Sequence, residues 1–225
     1  MKRQKPPSNT GHRQAGPVPY ITRWSAEQTP GIRVVAKNGG IGYADERPYD
    51  RDTNDILWTR VPSLPGKGRP EFGKVHALRQ RRAMEALLCQ VCARPADRTG
   101  DGALWMLGES PDQPGGSGAE FDGLITAQPP LCAPCAVKSA QVCPHLRRRC
   151  TVLRAHSFDL VGVRGALYRP ALPAPIPWNA AGVGFGDPRI RWIRAGQSLM
   201  RLSGTVVVDL AAPQASPGTR SAPPA

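Results

Sequence analysis

Cys89-Gln90-Val91-Cys92 and, further along, Leu131-Cys132-Ala133-Pro134-Cys135 decide how this chain is read. Each holds two cysteines at Cys-x-x-Cys spacing. A tight knuckle with that spacing turns two thiolates toward one tetrahedral ion, at about 2.3 Å each. Two knuckles supply four sulfurs and close the shell. A closed shell leaves no position for a reacting water, so zinc held by Cys89, Cys92, Cys132 and Cys135 is predicted to be structural.

All six cysteines lie between residues 89 and 150, the other two being Cys143 and Cys150. Six is an even number, so a disulfide framework competes with metal. The start, Met1-Lys2-Arg3-Gln4-Lys5-Pro6-Pro7, is charged with no apolar stretch behind it. A secretory leader is therefore not expected, and a reducing, cytoplasmic setting disfavours disulfides. A thioredoxin-like site needs its Cys-x-x-Cys at a strand-to-helix junction in a βαβ unit, a pattern these flanks lack.

Residues 93–131 separate the pairs, 39 residues against the roughly 15–20 of a compact ribbon. Gly, Pro and Ser crowd residues 108–118, which read as a flexible insertion. Such an insertion adds closure entropy only as the logarithm of its length. Ala103–Leu107 and Phe121–Thr126 flank it and are predicted to pair as a hairpin. Trp105 and Phe121 are expected to pack over the metal site.

Leu131-Cys132-Ala133-Pro134-Cys135-Ala136-Val137-Lys138 resembles the end of HNH-type zinc modules, where Leu-Cys-x-x-Cys opens a short helix with Lys three residues on. Knuckle, hairpin and a helix-opening Cys pair make the treble-clef plan, and the resemblance covers about residues 87–142. HNH nucleases carry a His general base in the hairpin before the second pair. Here the four histidines are His12, His76, His145 and His156, with none between residues 77 and 144. The resemblance therefore implies a treble-clef-like module without nuclease chemistry, and no catalytic residue is assigned.

Cys143-Pro144-His145-Leu146-Arg147-Arg148-Arg149-Cys150 adds Cys, His and Cys within eight residues. With His156 or His76 it is a candidate second zinc site, or it lends one ligand to a mixed shell. The alternative is that Cys143 and Cys150 pack as small buried groups and His145 makes an ordinary hydrogen bond.

The chain has 225 residues, with 30 Lys and Arg against 17 Asp and Glu, a net charge of +13. Twenty-four of the 30 are Arg, whose planar fork suits phosphate, although a GC-rich coding bias yields the same excess. Nucleic acid is the expected partner, met through its phosphate backbone with weak sequence preference. Lys74, Arg79, Arg82, Arg147, Arg148, Arg149 and Arg154 are the candidate contacts. An acidic protein partner satisfies the same charge, with the zinc module as a scaffold for assembly. No window approaches the ~18 apolar residues of a membrane span, so no membrane role is expected.

Gly and Pro number 24 and 25, about a fifth of the chain, well above the usual share. Residues 1–30 read as a disordered basic tail and 211–225 as an Ala/Pro tail. Residues 31–70 form a β-hairpin region, with Asn38-Gly39 at its turn and a further strand at Ile56–Val61. Residues 71–150 hold a helix over 71 to about 90 and then the zinc module. The helix is predicted to bury Ala77, Met84, Leu87, Leu88 and Val91 and to turn Arg79 and Arg82 to solvent. Residues 151–210 are β-rich, with strands at 160–163, 166–168, 190–194 and 205–208, a proline connector at 170–177 and a turn at 195–198. The expected fold class is α+β.

Overall fold

A computed structural model describes residues 18–108, 121–147 and 150–210. It opens with β1 (Thr22–Trp24), β2 (Val34–Lys37) and β3 (Gly40–Tyr43). β2 and β3 pair antiparallel across Asn38-Gly39. Both turn residues sit at positive φ, 50° and 72°, which Asn and Gly tolerate best. β4 (Pro70–Val75) pairs with β1. His76 then caps α1 (Ala77–Glu85), its ring nitrogen accepting from the Arg79 amide. Leu87 at φ 48° turns the chain away from the helix. β5 (Arg98–Thr99) and β6 (Gly102–Gly108) follow, then β7 (Ile125–Thr126), α2 (Ala133–Val142), β8 (Cys150–Arg169), β9 (Ile176–Gly184) and β10 (Ile193–Val207).

The 20-residue β8 is the axis of a six-stranded antiparallel sheet. β10 pairs along it from Leu153↔Val207 to Leu167↔Ile193. Two partners share the other edge of β8: β6 beside Cys150–Ala155 and β9 beside Gly162–Arg169. β5 extends the sheet beyond β6, and β7 joins the outer edge of β10.

Alternation along β6 assigns its two faces. Ala103 and Trp105 point into a cluster with Met84 of α1, Leu153, Ala155, Met200 and Leu202. Leu104 and Met106 point the other way, against Cys89, Leu131, Ala136 and Val152. α1 thus covers one face while the cysteine-bearing segments cover the other. At the far end of β8, Val163 and Leu167 pack with Ile56, Trp58 and Val183. Tyr168 on the opposite face packs with Ile41, Tyr43 and Leu57.

Several expectations give way to this arrangement. Residues 22–24 are strand β1, so the segment read as tail is ordered from residue 18 onward; residues 1–17 lie outside the described residues. The helix starts at Ala77 rather than residue 71. Pro70, Gly73 and Val75 disfavour helix, and Pro70, Glu71 and Val75 pair with β1 instead. Ile56–Val61 contributes only isolated bridges, Leu57 to Arg51 and Trp58 to Ala195. The strands expected at 160–163 and 166–168 fuse into β8. Glycine does not break the strand there, because side chains have no room: a Cβ on Gly162 would lie 2.3 Å from the Val183 carbonyl oxygen, and one on Gly165 2.1 Å from that of Arg194. Residues 195–198 stay inside β10 as a bulge, not a turn. Pro188–Trp192 is a 3₁₀ turn, so the strand read at 190–194 begins at Ile193. β6 forms its hairpin with β5, whereas Ile125–Thr126 pairs with β10. The insertion read at 108–118 lies, after Gly108, outside the described residues, as does the tail at 211–225.

Candidate metal centre

The first cysteine pair sits on a knuckle closed by its own backbone. The Cys89 amide donates to Arg94 O at 2.7 Å, and the Ala93 amide to Cys89 O at 2.9 Å. Ala93 takes φ 59°, the left-handed conformation that reverses the chain after Cys92. The second pair rests on a helix start. Cys132 is the N-cap of α2, Pro134 stands in its first turn, and the Cys135 and Ala136 amides donate to Cys132 O at 3.0 Å each. The Gln90 amide donates to Pro130 O and joins the two halves, and the Leu131 amide donates to Leu104 O and joins them to β6.

This frame brings the Cys89, Cys92, Cys132 and Cys135 sulfurs within 4.8 Å of one another. Cys92 Sγ and Cys132 Sγ are 3.7 Å apart. Four sulfurs about 2.3 Å from a central ion have tetrahedral edges of about 3.8 Å, so this spacing fits zinc. It is far too long for a disulfide at about 2.05 Å, and none of the six cysteines is disulfide-bonded. Leu104, Met106, Leu131 and Ala136 pack around the cluster and leave Cys89 fully buried.

The thiols feel one another. Burial pushes the Cys89 thiol up, against N–H groups of Cys132, Cys92 and Val91 that favour its thiolate. Burial also raises Cys135, with the neighbouring sulfurs adding to it. For Cys92 burial is outweighed by the Arg94 side chain, the Arg94 amide and donation from Cys89 and Cys135, and its pKa falls to about 6. Four thiolates this close repel one another unless a cation sits among them. The donor set therefore fits a divalent soft-ligand ion such as zinc, bound with release of thiol protons. Arg94, whose own pKa is raised by Cys92, adds a positive charge at the rim. Nothing in the spacing of the cysteines pointed to it; its position two residues after Cys92 is the available signal.

The third cysteine cluster does not join. Among the described residues, only the four cysteines above form such a group. Cys143 closes the far end of α2, about 16 Å along the helix axis from Cys132. Cys150 opens β8 and packs partly buried on the apolar cluster of β6. His145 and His156 are exposed. His76 is fully buried at the α1 cap, its Nε2 3.2 Å from Pro62 O, and burial lowers its pKa. Trp105 lies instead, together with Phe121, in the cluster beneath α1, away from the sulfurs, with its indole N–H on Gln128 O. Leu104 and Met106 take the place expected of them.

The basic candidates divide by burial. Arg79, expected to face solvent, is buried in a two-pronged pair with Glu27, at 2.7 and 2.8 Å, and also donates to Thr22 O. Helical periodicity could not foresee a carboxylate 52 residues upstream. Glu27 further accepts from the Trp24 and Leu64 amides. Burial opposes its charge, but these bonds win and its pKa falls to about 2. Arg154 is buried too, paired with Asp97 at 2.6 Å and donating to Gly102 O. Neither reaches a ligand. Lys74, Arg82 and Arg147 are exposed, Lys74 beside Glu71. Arg148 and Arg149 lie outside the described residues. Among the described residues no helix is long and apolar enough to cross a membrane.

Comparison with protein-family models, with curated proteins and with solved structures finds no match to this chain.

Proposed function

We propose that the chain is a small zinc-centred binding protein without catalysis, which associates with nucleic acid through arginines. The observation that carries the zinc reading is the closed set of four sulfurs on two rigid frames. Zinc bound there would tie the knuckle and α2 to β6, a structural task, because no ligand position is left for a reacting water. The order supports a treble-clef-like plan: knuckle, β5–β6 hairpin, then a Cys pair opening a helix. What supports nucleic acid is the net charge of +13, with Lys74, Arg82 and Arg147 exposed. Elemental analysis of the purified protein tests the first part, with about one zinc per chain expected. Binding to duplex and single-stranded probes over a range of salt tests the second. Steep salt dependence with little sequence preference supports it, and no binding at low salt overturns it.

One feature favours the alternative of a protein-assembly role. Among the described residues the nine-residue β9 pairs on one side only, with β8, through eight of its residues. Such an edge accepts a partner strand. Salt-insensitive capture of a protein partner, without nucleic-acid binding, would favour this second reading.

A further inference from the structure

A groove of about 390 Å³ opens between the 3₁₀ turn Pro48–Asp50, the segment Trp58–Pro62 and α1. That is the size range of small-ligand sites. Its lining sets arginines beside aromatic rings. Arg81 lies 4.7 Å over the Trp58 ring. Arg47 lies 5.9 Å from the Tyr49 ring centroid and donates to the Tyr49 hydroxyl at 2.7 Å. Tyr49 is 68% exposed and Leu78 45%, so aromatic and apolar surface stands uncovered beside these charges.

The charges are unequally neutralised. Arg60 is held by Asp50 and Asp45, and Arg81 pairs with Glu85. Arg47 makes no direct ion pair among the described residues, although its charge acts from further off on Asp45 and Asp50. The turn that carries it is rigid. Asp50 is buried, takes the Arg47 amide at 2.6 Å, holds Arg60, and receives the Trp58 amide on its carbonyl at 2.8 Å. An exposed ring and a guanidinium without a direct ion pair, held on a fixed frame, lose little entropy on binding.

We propose that this groove binds one nucleotide unit, its base stacked on Tyr49 and its phosphate on Arg47. The unit comes either from single-stranded nucleic acid or as a free nucleotide. The proposal deepens the nucleic-acid reading above and rests on it. An acidic peptide would satisfy Arg47 but has no π-face to use the exposed Tyr49 ring, whereas every base has one.

The test uses the full zinc-loaded chain. Labelled oligo-dT and oligo-rU of about ten nucleotides are titrated by fluorescence anisotropy, with unlabelled AMP and poly-glutamate as competitors. The variants are Tyr49→Ala, Tyr49→Phe and Arg47→Gln. Circular dichroism and zinc content check that they fold. Tyr49→Ala should weaken oligonucleotide binding between about 5-fold and 150-fold, Tyr49→Phe should stay near the native value, and Arg47→Gln should reduce the salt slope by about one contact. Competition by AMP would identify a free nucleotide as a sufficient ligand; absence of competition would assign the groove to the polymer. Unchanged oligonucleotide binding in Tyr49→Ala and Arg47→Gln overturns the groove while leaving nucleic-acid association standing. Failure of the native chain to bind any oligonucleotide overturns both. Poly-glutamate binding that is lost in Tyr49→Ala, without nucleotide binding, makes this an acidic-peptide site instead.

Discussion

Two side-chain groups join segments far apart in sequence: the four cysteine sulfurs, which bring residues 89–92 to 132–135, and the buried Glu27–Arg79 pair, which ties the segment after β1 to α1. Replacing Cys89 or Cys132 by Ser should abolish stoichiometric zinc, and chelation should have the same consequence. Structural zinc contributes on the order of 10 kcal/mol in small modules. Hydrogen exchange should then show loss of protection over residues 88–96 and 131–142, whose amides bond within the knuckle, to β6 or inside α2. Retention of full protection after metal removal would refute the zinc role. Glu27 has the opposite chemistry, a carboxylate kept charged inside. Its folded pKa of about 2 lies below the ordinary 4.5. The group therefore adds stability that is complete above pH ~4.5 and is lost as pH falls toward 2, about 3 kcal/mol in all. Glu27→Gln should flatten that part of the acid-unfolding curve. At neutral pH it should cost roughly 3–5 kcal/mol, because Arg79 is left buried without its partner charge. Arg82→Ala, on the exposed side of the same helix, should leave the urea midpoint almost unchanged.

Among the elements, β8 carries the sheet, and its glycines let it do so. Gly162→Ala forces a Cβ against the Val183 carbonyl, 2.3 Å away, where backbone must move. A loss of about 1–3 kcal/mol is expected in urea unfolding, comparable to overpacking a core. The effect should be smaller at Gly186, where a Cβ meets nothing within 4 Å. The knuckle holds the converse case. Ala93 occupies φ 59°, where a Cβ costs about 1–2 kcal/mol and glycine is indifferent. Ala93→Gly should leave zinc content unchanged and raise resistance to chelation modestly. A loss of zinc in that variant would mean that the knuckle needs the alanine for packing rather than tolerating it.

The whole chain carries far more positive than negative charge, yet burial removes Arg79 and Arg154 from any contact surface. Nucleic-acid affinity should therefore not depend on Arg79 or Arg154. Changing Arg147, Arg148 and Arg149 together to Ala should reduce the salt slope on duplex DNA by up to about 3, near 0.9 per lost contact. Affinity should fall alike for unrelated sequences, with zinc content intact. Filter binding at several salt concentrations measures both. Equal slopes for native and variant chains would mark the run as a solvated surface and favour the assembly reading. Plasmid incubated with Mg²⁺ or Mn²⁺ should remain intact, since no histidine lies within residues 77–144.

What local spacing dictates was readable in advance. Cys-x-x-Cys imposes a knuckle on any chain that must place two sulfurs on one ion, and the four sulfurs meet. Asn38-Gly39 sets its own turn through two positive φ angles, and the hairpin forms around it. What partners across long separations dictate was not readable. Gly165, in the gap between the strands read at 160–163 and 166–168, looks like a break until β10 lies alongside and needs the space. Arg79 looks like a surface cation until Glu27 arrives from 52 residues away. Trp105 and Leu104 are both apolar neighbours on β6, and only the placement of α1 on one face and the knuckle on the other decides which of them meets the sulfurs. Local geometry is set by a residue's own torsions and nearest neighbours, whereas burial is set by which distant surface closes over it.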